Sequence, residues 1–135
     1  MQFDHLGMVT QERKEGEMFI APTRVWVTDF QKHPYHVEWL RFEPDSPVSG
    51  PVREMPHVAY RVDDLEAAAQ GLKVLLPPFD VGFAVVGFYQ TADGAVVEFM
   101  KYKEDKTPPP DPRRATDTRT EAATGSTEKK EPPPP

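Results

Sequence analysis

The first 103 residues of this 135-residue chain predict an α+β domain built from two similar halves. Three observations carry that expectation. Apolar residues almost stop after Tyr102. The runs before it alternate with period two far more often than with helical period. In each half a His near the start is followed by a Glu near the end, which is the mark of an internal repeat. One core usually serves about 100–200 residues, so the chain has room for a single domain and not for a second catalytic one.

The elements follow in order. Residues 3–9 alternate around His5, residues 18–21 and 24–30 are rich in β-formers, and residues 36–42 alternate again, so four strands are expected before Pro44. The run PDSPVSGP at 44–51 is dense in turn formers and should break the chain between the halves. Residues 57–62 read as a strand. Asp63-Asp64 is an acidic start for the one convincing helix, 65–71, with Gly71 as its stop. Three more strands are expected at 73–76, before the Pro77-Pro78 break, at 83–90 and at 95–102, the last two joined by Thr91-Ala92-Asp93-Gly94 with its hairpin-forming Asp-Gly pair. In the first half the segment TQERKEG at 10–16 is short, polar and without an apolar stripe, so the helix there is reduced or absent.

From Glu104 onward Pro, Thr and charged residues dominate. Such a segment buries too little apolar surface to offset its ordering entropy, and 104–135 is expected to be a disordered, Pro-rich, solubilising tail. A polyproline ligand for a partner's aromatic groove is the other reading.

Composition excludes several classes. The formal charge is −6 and the basic residues are dispersed, so no nucleic-acid partner is expected. No apolar run approaches the roughly 18 residues that span a bilayer, and the opening MQFDH has no basic or apolar leader pattern. A cytoplasmic protein without membrane contact is expected. There is no cysteine, hence no disulfide, thiolate ligand or cysteine nucleophile, and any metal must sit on nitrogen and oxygen.

The repeat supplies those atoms. Phe3-Asp4-His5-Leu6-Gly7 and Met55-Pro56-His57-Val58-Ala59 open the two halves; His36-Val37-Glu38-Trp39-Leu40 and Val96-Val97-Glu98-Phe99-Met100 close them. A carboxylate between large apolar residues needs a counter-charge, because burying it alone is costly. A cation shared by both carboxylates and both imidazoles meets that need. Singly, each residue has an ordinary reading: His5 and His57 as hydrogen-bonded strand histidines, Glu38 on a solvated edge, Glu98 paired with Arg61 or Lys101. Period two also puts His36 on the face of Glu38, as an acid or base in the pocket or a group behind a ligand, with a solvated hairpin histidine as the alternative. Trp26, Tyr35, Tyr60 and Tyr89 are candidate cup-lining aromatics, and His33 is expected in an exposed turn.

The stretches FDHLGMVT, VEWLRFEPDSPVSG, HVAYRVDDLEAA and DGAVVEFM resemble the vicinal oxygen chelate superfamily, which includes glyoxalase I, methylmalonyl-CoA epimerase, extradiol dioxygenases and fosfomycin-resistance proteins. The resemblance covers about residues 2–103. It implies tandem βαβββ modules, about 2–44 and 55–103, forming a cupped, mostly antiparallel sheet around a divalent metal. The implied ligands are His5, Glu38, His57 and Glu98, and the ion would be Zn, Ni, Co, Mn or Fe. Glu38 or Glu98 would move the proton.

Four ligands in place of three point to the isomerase, epimerase and lyase branch, nearest glyoxalase I and methylmalonyl-CoA epimerase, acting on a small hydroxycarbonyl or keto-acid-like substrate. Val9 stands where glyoxalase I usually has a glutathione-holding Arg. The alternatives are an Fe(II) extradiol-type dioxygenase, indifferent to Glu38, and a metal-free small-molecule binding or resistance protein. A homodimer is expected, since small cupped domains often complete their pocket across an interface.

Overall fold

The computed structural model describes residues 1–103, and the expected disordered tail lies outside the described residues. Eight strands form one sheet: β1 (Gln2–Val9), β2 (Met18–Ile20), β3 (Val25–Val27), β4 (Val37–Phe42), β5 (His57–Arg61), β6 (Lys73–Asp80), β7 (Ala84–Gln90) and β8 (Val96–Tyr102). Their order is β2-β3-β4-β1-β5-β8-β7-β6. The sheet is mixed and curls into a half-barrel with few helices, an α+β, sheet-dominated architecture. β1 runs parallel to β4 and β5 parallel to β8, while the central β1–β5 pair and the outer pairs are antiparallel.

Two helical turns of four residues each flank the sheet, α1 (Pro51–Glu54) and α2 (Leu65–Ala68), and Phe30–Lys32 forms a short 3-10 turn. Residues 10–17 form no helix. No helix among the described residues is long and apolar enough to cross a membrane.

Alternation sorts the side chains of each central strand onto two faces. On one face Val97 and Phe99 of β8 pack with Val62 and Tyr89, against Val58, Tyr60 and the Leu65 and Ala68 side of α2. On the other, Val96 and Met100 of β8 join Ala59, Ala84, Val86 and Phe88, and Glu98 lies between them in sequence on that same face. Leu40, Val25 and Val27 extend this second face across β3 and β4, with Phe42 touching both clusters.

Three expectations need correction. The stretch at 44–51 and the turn of α1 that follows it are more than a break between halves: Val48 and Val52 are 4% and 3% exposed and sit in the core of the second face. Pro51 occupies the first turn of α1, where its fixed φ fits and its missing N–H costs nothing. Arg53 then ties the linker down, donating to the carbonyls of Glu43, Ser46 and Val48 at 3.2, 3.4 and 3.1 Å.

Pro77-Pro78 does not end a strand either. β6 runs through both prolines because it is an edge strand whose register on β7 slips between Leu76 and Phe79, so neither proline faces a ladder acceptor.

The helix expected over 65–71 is one turn. Asp64 caps it, its Oδ1 accepting from the Ala67 N–H at 3.1 Å, and the chain then turns back through Gly71 at φ +80° to reach β6.

Candidate metal centre

The centre is set by strand register. Across the antiparallel β1–β5 pair, Leu6 faces Val58, His5 faces Ala59 and Gly7 faces His57. On the outer sides of that pair the parallel neighbours repeat one relationship: Gly7 pairs with Glu38 of β4, and Ala59 with Glu98 of β8. In each half the residue two beyond the His is therefore small and lies beside the Glu. That arrangement brings all four sequence-predicted ligands to one face, with the imidazoles lying over Gly7 and Ala59.

His5, Glu38 and His57 each offer one ligand atom within 4.8 Å of the others, a group that could hold a metal ion. Glu98 joins the same imidazoles: its Oε1 is 3.3 Å from His5 Nε2 and 3.1 Å from His57 Nε2, while Glu38 Oε1 is 3.4 Å from His5 Nε2. His5, His57 and Glu98 are 1%, 2% and 6% exposed.

These separations are not hydrogen bonds. His5 Nε2 and His57 Nε2 are fully buried and have no hydrogen-bond partner among the described residues, which is expensive unless something else satisfies them. A cation bonded at about 2.0–2.2 Å to nitrogen and oxygen sets neighbouring donors about 2.8–3.6 Å apart, from octahedral to tetrahedral angles. The observed spacings of 3.1, 3.3 and 3.4 Å fall in that range. The donor set of imidazoles and carboxylates suits Zn²⁺, Ni²⁺, Co²⁺, Mn²⁺ or Fe²⁺.

Electrostatics show how strongly these side chains interact. Burial by itself would depress the His5 imidazole, but the carboxylates of Asp4, Glu38 and Glu98 outweigh it and push it far above the usual imidazole range. Burial would raise the Glu98 carboxyl, and the two imidazoles outweigh it and hold it well below the usual carboxylate range. Three carboxylates against two imidazoles leave the cluster short of positive charge. Among the described residues, the ionic partners of Glu38 and Glu98 are imidazoles, not guanidinium or ammonium groups. Arg61, the sequence's alternative partner for Glu98, lies instead over the Tyr102 ring at 3.6 Å.

Aromatic rings hold both imidazoles. Phe30, at the start of the 3-10 turn, stacks on His5 with centroids 4.2 Å apart, and Phe88 meets His57 edge-on at 5.0 Å. Neither ring was singled out from the sequence. Nor were Asp4, whose Oδ2 lies 2.7 Å from His5 Nδ1, and Tyr102, whose hydroxyl donates to Asp4 Oδ1 at 2.9 Å. Gly7 did carry a legible signal, because a glycine inside a strand pattern marks a bulge or a close approach.

His36 is not brought into the cluster. It precedes β4, takes φ +54°, is exposed, and its Nδ1 donates to the Asp4 carbonyl at 2.9 Å. The period-two argument fails because the strand starts one residue later. Tyr35 is 79% exposed, and Tyr60 and Tyr89 pack on the α2 face, so these three do not line the cup. Trp26 lies on β3 against Phe19 and Arg41 and donates from Nε1 to Glu43 at 2.8 Å. His33 is half-buried, its Nδ1 accepting from the Tyr35 N–H at 3.0 Å.

No model of a known protein family matches the chain, and no curated protein sequence matches it.

Proposed function

We propose that this protein is a metal-dependent isomerase, epimerase or lyase that moves a proton on a carbon next to the carbonyl of a small hydroxycarbonyl or keto-acid-like substrate. The observation that carries the reading is that His5, Glu38 and His57 bring ligand atoms within 4.8 Å of one another, with Glu98 Oε1 at 3.3 and 3.1 Å from the two imidazole Nε2 atoms and both of these nitrogens buried without a hydrogen-bond partner among the described residues. The strand order supports the vicinal oxygen chelate resemblance: two four-strand sets, each with its first strand parallel to its last, meet at β1 and β5.

A divalent cation held by His5, Glu38, His57 and Glu98 supplies Lewis-acid polarisation of the substrate carbonyl when bound. The two carboxylates are suited to different tasks. Glu98 Oε1 lies close to both imidazole Nε2 atoms, at 3.3 and 3.1 Å, and the side chain is buried, which suits it to the part of a ligand. Glu38 Oε1 lies 3.4 Å from His5 Nε2, and its side chain is 13% exposed. It is the freer carboxylate, and it takes the proton from carbon and returns it. Phe30 and Phe88 pack against the two imidazoles and give that side of the site an apolar lining.

The test is titration of chelator-stripped protein with Zn²⁺, Ni²⁺, Co²⁺ and Mn²⁺, followed by proton NMR of small α-hydroxyketones and α-keto acids in heavy water. Near-stoichiometric binding and metal-dependent deuterium uptake next to the carbonyl are expected. Failure to take up any of these ions near stoichiometry sinks the reading.

A further inference from the structure

We propose that Asp4 positions His5 for cation binding, accepting a hydrogen bond from His5 Nδ1 and thereby keeping Nε2 as the lone-pair donor beside Glu38 and Glu98. The assignment rests on the metal-centre reading above.

Regular alternation would put Asp4 and His5 on opposite faces of β1. The strand does not alternate there. Its register on β5 goes from Phe3 opposite Tyr60 to His5 opposite Ala59, leaving Asp4 as the extra residue of a bulge. Bulges re-aim side chains in this way next to functional centres. Asp4 and His5 are both buried, at 9% and 1% exposure, although they are neighbours in sequence.

Every polar atom of Asp4's carboxylate is then engaged. Oδ2 lies 2.7 Å from His5 Nδ1, and Oδ1 accepts from the Tyr102 hydroxyl at 2.9 Å. The Asp4 carbonyl accepts from His36 Nδ1 at 2.9 Å, and Arg61 covers the Tyr102 ring from 3.6 Å. Asp4 is thus tied on three sides and has no freedom to swing away from the imidazole. A neutral imidazole carries one proton, and a carboxylate at Nδ1 fixes that proton there and makes Nε2 a better donor. The two imidazoles differ in this respect, because His57 Nδ1 is buried with no hydrogen-bond partner among the described residues. The oriented histidine is His5.

The experiment compares the wild-type chain with Asp4→Asn and Tyr102→Phe, using Zn²⁺ as the probe. Affinity is measured by competition with a chelating dye, the Nδ1 proton of His5 by NMR of zinc-loaded, nitrogen-labelled protein, and folding by circular dichroism of the metal-free forms. Wild type should show a downfield, slowly exchanging Nδ1 proton. Asp4→Asn should bind Zn²⁺ about 10–100-fold more weakly, with that resonance shifted or exchanged away. Tyr102→Phe leaves Asp4 in place but unties Oδ1, and a smaller loss in the same direction is expected even if Asp4→Asn folds poorly. Unchanged zinc affinity in both variants, or weakened affinity with the His5 Nδ1 proton unmoved, overturns the role of Asp4 while leaving the metal centre standing. A wild type that binds no Zn²⁺ or other divalent ion removes the metal-centre reading, and the role of Asp4 falls with it.

Discussion

Gly7 faces His57 across the β1–β5 pair, and a Cβ placed on Gly7 would stand 2.1 Å from His57 Cε1. The imidazole lies against bare backbone, and no side chain can be added there without moving the ring. Gly7 is not at positive φ, so the requirement is one of space and not of backbone conformation. Gly7→Ala should push His57 off the centre, lower zinc affinity at least tenfold, and cost about 1–3 kcal/mol in stability through overpacking. Denaturant unfolding of the metal-free protein and a zinc titration check the two effects separately. Native-like values in both would show that the ring has another resting place.

The eight strands, and the His and Glu residues that they bring close together, were legible in the chain because each rests on a local pattern. Alternation marks a strand whatever surrounds it, and a Glu flanked by large apolar residues, as at Val97-Glu98-Phe99, advertises a buried charge. What stayed hidden depends on register or on distant packing. Asp4 reads as facing away from His5 until the bulge against β5 is known. His36 reads as sharing the face of Glu38 until its left-handed backbone shows that β4 starts at Val37. Phe30 is one aromatic among many until the 3-10 turn lays it over His5. The apolar residues of the linker were visible, but turn formers around Val48 and Val52 concealed that both are core.

That linker carries a prediction about stability. Val52 is 3% exposed within the core cluster, whereas Val74 on the edge strand β6 is 55% exposed. Val52→Ala should cost about 1–3 kcal/mol, from lost burial and the cavity left behind. Val74→Ala should stay within about 0.5 kcal/mol of wild type. Urea unfolding of the two variants decides it, and equal midpoints would mean that the linker can detach without disturbing the sheet.

Acid sensitivity should depend on Glu17 and Arg41. Arg41 on β4 grips the Glu17 carboxylate with two hydrogen bonds, at 2.9 and 2.7 Å, and holds its pKa below the ordinary 4.5. A carboxyl depressed by folding contributes stability that is fully present above its unfolded value and is lost as pH falls through the lower folded value. The contribution of this pair should therefore be intact above about pH 5 and disappear in the acid range below 4.5. Glu17→Gln should flatten the acid limb of a plot of unfolding midpoint against pH and leave its neutral and alkaline parts parallel to wild type. A variant whose acid limb has the wild-type slope would assign that proton uptake to other carboxyls.

The two carboxylates of the candidate centre should separate binding from proton transfer. Glu98 Oε1 lies within 3.3 Å of both imidazole Nε2 atoms, so Glu98→Gln removes a charge from the middle of the cluster. It should lower metal affinity by orders of magnitude and relieve the positive bias on His5, which the carboxylates of Asp4, Glu38 and Glu98 raise against the depressing effect of burial. Glu38 lies 3.4 Å from His5 and is the more exposed of the two carboxylates, so Glu38→Gln should retain more metal, losing about tenfold or less in affinity. Deuterium uptake by bound substrate is the other half of the comparison. With metal saturating, Glu38→Gln should slow it by about 10²–10⁴-fold, the usual contribution of a positioned general base. An Fe(II) dioxygenase that uses two His and one Glu predicts the opposite pattern, with Glu38→Gln nearly silent in turnover and oxygen consumed in proportion to product. Comparing metal-saturated rates of the two variants, with an oxygen electrode in the same cell, therefore distinguishes proton transfer from oxygen chemistry through the behaviour of one side chain.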